Sequence, residues 1–136
     1  MLYSEAFKKM GVSDVTRGSP WAAINKDGVL VIMGHEDYFD RDQNGWFYEH
    51  PAQPGLGALG GSVTRALNII KSYYEVGKPV TVAIGKFVTN GGPDEGGKIL
   101  PAVFKEASGD AYKGVLREFD FDSGHFIADC EQRFSL

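Results

Sequence analysis

The chain lacks disulfide chemistry: its 136 residues include one cysteine, Cys130, which excludes an internal cross-link and a cysteine-based zinc site. It also lacks any apolar run near the ~20 residues of a membrane-spanning helix. The opening Met1-Leu2-Tyr3-Ser4-Glu5 has none of the basic-then-apolar order of a secretory signal. Together these absences predict a cytoplasmic protein with no membrane partner. Basic charge is not in excess either. Lys and Arg number 14 against 18 Asp and Glu, leaving −4 at neutral pH, which disfavours duplex nucleic acid and is too mild for a DNA mimic. Internal repeats, low-complexity tracts and linker-like stretches are missing as well. Residues 1–136 are therefore expected to form a single domain around one core.

What the chain has in abundance is glycine and aromatic rings. Its 18 glycines exceed the usual share of about 7% and fall in clusters, which marks them as loop residues between packed elements. Aromatics reach 12% and hydrophobic residues 43%, enough for a small core to offset chain entropy.

Periodicity places the elements. Ser4 reads as the cap of a short helix whose Ala6, Phe7 and Met10 share a face, with Gly11 just past its end. Residues 12–20 read as a surface connector. Residues 21–25 and 29–33 read as strands around the turn Asn25-Lys26-Asp27-Gly28. The second of them is apolar without alternation and is expected to be buried on both faces. His35 to Gly45 reads as a polar loop, and Trp46 to Glu49 as a third strand. Two prolines and four glycines keep residues 51–61 irregular. Ser62 is then expected to cap the clearest helix, with Val63, Ala66, Leu67, Ile70, Tyr73 and Tyr74 at three-four spacing and Gly77 as its stop. A strand over residues 80–88, a glycine-rich loop over 90–98 and a short helix over 99–107 follow. The chain closes on a hairpin turning at Asp122-Ser123-Gly124. This predicts an α+β fold: a mainly antiparallel sheet with one long amphipathic helix and two short helices.

Three strings resemble ligand motifs. Gly55-Leu56-Gly57-Ala58-Leu59-Gly60-Gly61 matches G-x-G-x-x-G and, with Ser62, opens a helix. Small residues let backbone amides approach an anion there, so Gly55, Gly57, Gly60, Gly61 and Ser62 are the expected ligand-binding set. Pro51 and Pro54 interrupt the strand–turn–helix order that a dinucleotide site needs. Gly92-Pro93-Asp94-Glu95-Gly96-Gly97-Lys98 fits G-x-x-x-x-G-K, but Ile99 replaces the hydroxyl residue that would hold magnesium, and two acids face the phosphates. Asp40, Asp42 and Asn44, followed by Gly45, reproduce the first half of a calcium loop. Its twelfth position is Pro51, and Glu49 comes two residues early.

His35-Glu36-Asp37, with Asp40 and Asp42 close behind, is the densest group of titratable side chains. A histidine beside carboxylates can act as general base or help to hold a divalent metal for hydrolysis. His50 and His125 are further candidates to join it in space. H-E-x-x-H is not completed, because Phe39 stands at its last position. Cys130, on a face with Phe126 and Ala128, reads as a small buried hydrophobe. Trp21, Trp46, Phe47 and Tyr48 suit core packing better than base stacking, since Lys26 and Arg41 are too few to make an electrostatic groove.

Two stretches resemble small uncharacterised bacterial and phage-type proteins. One runs from Trp21-Ala22-Ala23-Ile24 through Asp27-Gly28 and the apolar strand to His35-Glu36-Asp37-Tyr38-Phe39. The other is Leu116 to Phe126. The resemblance implies a prokaryotic or mobile-element source and carries no activity.

With no complete catalytic set and no cofactor implied, the expected function is a small binding or accessory protein. It would grip a partner protein or a small anionic, nucleotide-like ligand through the glycine-rich loops. The competing expectation is a small metal-dependent hydrolase built on His35, Glu36, Asp37, Asp40 and Asp42. Self-association as a homodimer is left open.

Overall fold

The computed structural model describes residues 1, 3–12, 22–89, 92–93, 95–97, 99–100 and 103–136. Helix α1 (Tyr3–Lys9) buries Ala6 and Phe7, with Met10 just beyond its end. Ser4 lies inside the helix and does not cap it. Strand β1 (Ala22–Ile24) turns at Asn25 into β2 (Leu30–His35), every residue of which is buried. The turn is built by one side chain. Asn25 Oδ1 accepts from the amides of Asp27 and Val29, and its Nδ2 donates to the Met10 carbonyl, which ties α1 to the hairpin.

The expected polar loop after β2 holds a strand. A 3-10 turn (Glu36–Tyr38) leads into β3 (Phe39–Asp42), which pairs with β4 (Gly45–His50). Helix α2 (Gly61–Val76) then returns the chain across the sheet and ends on Gly77 at φ +74°. Gly60 is its N-cap, so the expected cap Ser62 lies within the first turn. Strand β5 (Pro79–Thr89) lies parallel to β2, with Val31 opposite Thr81 and Met33 opposite Ala83. A two-stranded ribbon follows, β6 (Gly92–Pro93) with β7 (Ile99–Leu100). The long β8 (Val103–Phe119) and β9 (Phe126–Ser135) complete a seven-stranded sheet in the order β1-β2-β5-β8-β9-β4-β3.

Two expectations are corrected here. The sheet is mixed, not mainly antiparallel, and among the described residues two α-helices accompany it in place of one long and two short. A parallel pair needs a crossover, and α2 supplies it by laying β5 beside β2 in the same direction. The helix expected over 99–107 is strand instead. Val103 and Phe104 stand opposite Thr89 and Phe87 of β5, so a long-range partner overrides local spacing.

Each face of the sheet has its own apolar cluster. Under α2, Ala66, Ile70 and Tyr73 join Leu30, Ile32, Val80, Val82, Tyr48 and Phe126. On the opposite face Ala6 and Phe7 of α1, with Met10 just past it, join Val31, Met33, Ala83, Ala107 and Ala111. At seven residues, α1 is about 10 Å long and covers only part of its face. The next row of the sheet, Val31-Thr81-Lys113-Gln132 in register, runs out from beneath its C-terminal end. No described helix is long and apolar enough to cross a membrane.

Candidate functional site

The glycine-rich segment is a packing element. Gly57 donates its amide to the Asp122 carbonyl, and a Cβ at Gly57 would lie 2.6 Å from the Phe121 carbonyl oxygen. The amides of Leu56, Ala58 and Leu59 are likewise taken, by Gln53, Gly55 and Leu56 carbonyls. Gly55, Gly60 and Gly61 adopt positive φ, which lets the chain reverse into α2. Gly57 is thus needed for close approach to the β8–β9 turn. Nor does the second glycine string lie between strand and helix. Its Gly92 and Pro93 belong to β6 and Ile99 to β7, while Asp94 and Lys98 lie outside the described residues.

The acidic group after β2 is spread by the β3–β4 hairpin. His35 is buried at the end of β2, its Nδ1 accepting from the Asp37 amide at 2.9 Å. The acceptor role marks Nδ1 as unprotonated and occupied with starting the 3-10 turn. Glu36 and Asp37 are exposed. Asp42 Oδ1 accepts from the Asn44 amide, so two members of the apparent calcium loop are used to make a hairpin turn at Gly45. Asp40 Oδ1 accepts from the Arg41 amide. His125 Nε2 meets Glu49 Oε2 at 2.8 Å, and His50 Nδ1 donates to the Gly124 carbonyl at 3.0 Å. His50 and His125 lie together where β4 meets β9, and rings of Tyr38 and Tyr48 stand between His35 and His50. Among the described residues no three of His, Cys, Asp and Glu are placed to hold a metal ion, so the hydrolase expectation gains no support. Cys130 is buried, and desolvation pushes its thiol up to about 12, which keeps it un-ionised.

His50 stacks on Phe126 with ring centroids 5.1 Å apart. Burial pulls its pKa from 6.5 to about 4, with His125 acting in the same direction and the Gly124 carbonyl opposing. The unfolded chain therefore binds a proton that the folded one refuses, and stability falls as pH drops from 6.5 to about 4. The loss from this group amounts to roughly 3 kcal/mol. Urea melts between about pH 7 and about pH 4 check it. The decline should be shallower in His50→Asn, and parallel profiles for the two proteins would contradict the assignment.

A constellation that no motif announces lies on the α1 face. Lys8 and Lys9 from the last turn of α1, Lys26 from the β1–β2 turn and Lys113 from β8 rim a cleft of about 350 Å³. Asp27 is its one carboxylate among the described residues. Its walls and floor include Thr81, Val29, Met10 and Phe134. Register explains the floor: Thr81 and Lys113 are direct partners in the row that runs out from the α1 cluster at Val31. The two helix lysines suit the partial negative charge of a helix C-terminus. None of the four ammonium groups joins an ion pair among the described residues. Thr81 is 7% exposed, and its hydroxyl takes no part in the side-chain hydrogen bonds of the described residues.

Two other depressions lack such unspent positive charge. In the one containing Trp46 and Asn44, Arg117 is neutralised by Asp129 and, at 3.6 Å, by Asp42. The one lined by Asp37, Tyr38, Asp40, Phe47 and Glu49 is acidic and open. No signal in the sequence points to the lysine cleft, because its members lie at positions 8, 9, 26, 81 and 113 and the whole chain is acidic. Trp21 lies outside the described residues. Trp46 is 42% exposed beneath Arg41, and Tyr48 is fully buried. Comparison with known proteins adds no relative: no family model, no curated protein and no solved structure matches the chain.

Proposed function

We propose that this chain is a small binding or accessory protein that holds a small anionic ligand in the lysine-rimmed cleft between α1, the β1–β2 turn and β8. One observation carries the reading: four lysines that join no ion pair among the described residues line one cleft with Thr81 in a chain whose overall charge is −4. Like charges brought together repel unless a counter-charge sits among them. A phosphate group neutralises several ammonium groups at once and takes a hydrogen bond from Thr81. The reading keeps the anionic ligand expected from the sequence but moves its seat from the glycine loops to the sheet. A cytoplasmic location belongs to the same proposal, supported by the lone thiol of Cys130.

Pyrophosphate is the simplest probe. At about a hundred times its Kd it should stabilise the fold by about 2.7 kcal/mol, a rise of several degrees in Tm. Removing charge with Lys26→Met and Lys113→Met together should weaken binding at least about tenfold, and raising salt should weaken it in the native chain. A Tm unmoved by pyrophosphate, or a double variant that binds it as well as the native chain, would refute the proposal.

A further inference from the structure

We infer that the ligand is a nucleoside phosphate, an inference that rests on the anion-binding reading above and names the rest of the molecule. A volume of about 350 Å³ lies in the range of small-molecule sites, which begins near 300 Å³, and exceeds the needs of a bare anion. Lysines alone do not line it. Met10, Val29 and Phe134 give it an apolar part, and a free phosphate would leave that part wet. Phe134 is half-buried at the edge of the α1 cluster, with Lys113 Nζ 5.6 Å from its ring centroid. The same lysine therefore serves both a ring site and a charge site. A flat base laid along Phe134 places its phosphates among the ammonium groups.

Asp27 supplies the third element. Its amide is fixed by Asn25 Oδ1, so the turn presents it at the rim. Toward a purely anionic ligand its carboxylate is repulsive. Toward a sugar hydroxyl it is an acceptor. Ring, carboxylate and ammonium groups together match base, ribose and phosphate.

Calorimetric titration of the native chain with ADP, GDP, CDP and UDP singly, beside pyrophosphate, tests this. At least one nucleotide should bind about tenfold or more tighter than pyrophosphate, the usual worth of stacking one base. Phe134→Leu should remove that advantage and leave pyrophosphate unchanged. Asp27→Ala, an exposed change that does not threaten the fold, should weaken the preferred nucleotide and strengthen pyrophosphate. If every nucleotide only equals pyrophosphate, or if Asp27→Ala strengthens both, the nucleotide inference falls while the anion reading stands. If neither pyrophosphate nor any nucleotide binds, both fall.

Discussion

Ile70→Asp is expected to abolish cooperative folding at neutral pH. Ile70 is fully buried in the middle of α2, against the α2-side cluster formed by Leu30, Ile32, Val80 and Val82. An aspartate there loses the burial of the isoleucine, at about 2–5 kcal/mol for a large-to-small change. It also places a carboxylate among the buried apolar side chains of that cluster, at a further cost of several kcal/mol. Small domains have only about 5–15 kcal/mol to lose. The conservative Ile70→Val should cost about 1 kcal/mol, which separates charge burial from loss of volume. Urea melts followed by far-ultraviolet circular dichroism decide it: an Ile70→Asp transition matching the native chain's would remove α2 from the core.

Gly114→Ala is expected to be nearly as damaging, for a different reason. Gly114 faces Cys130 across β8 and β9, beside an irregularity in register after Lys113. A Cβ added there would run into the Asp129 carbonyl oxygen, well inside van der Waals contact. The obstacle is backbone, so no rotamer change relieves it. The strands must separate, which breaks ladder bonds in the middle of the sheet. The expected loss is about 3 kcal/mol or more, the upper end for overpacking. Gly28→Ala is the informative control. Gly28 has φ +76° but open space around its Cβ, so it should cost only about 1 kcal/mol of backbone strain. Equal melting midpoints for the two variants would contradict the close approach at Gly114.

How much of this architecture is legible in the sequence depends on the range of the interaction that makes each element. The β1–β2 turn is legible because Asn25 and Gly28 build it locally, and α2 because its three-four stripe is a property of the helix alone. The β8–β9 turn is legible for the same reason. Strand β3 is not. Three of its four residues are charged, and only pairing with β4 makes it a strand. The start of β8 has helix-compatible spacing and becomes extended because β5 lies beside it. The parallel pairing of β2 and β5 left one trace, the apolar run over 29–33 without alternation, which is the pattern of a strand buried on both faces. Simple alternation from Val115 to Phe121, with Val115, Arg117, Phe119 and Phe121 on one face, does not hold across β8. A register shift between Leu116 and Glu118 puts Phe119 with Leu116 against the α2-side cluster.

The site was less legible than the fold. Glycine spacing drew attention to Gly55 through Gly61, yet the constraint on Gly57 comes from Phe121, sixty-four positions away in the chain. The lysines carry no spacing at all. Lys26 reaches the cleft because Asn25 ties its turn to the end of α1, and Lys113 because β8 registers against Thr81. Such a site is a product of strand register and of a helix too short to cover its face.

The central claim, that the anion seat lies under the end of α1 and not at the glycine loop, is tested most directly by a pyrophosphate titration of the ¹⁵N-labelled chain. Amide shifts should concentrate at Lys8, Lys9, Lys26, Thr81 and Lys113 while Gly55 to Ser62 stay still. Shifts confined to Gly55 to Ser62 and the first turn of α2 would contradict it.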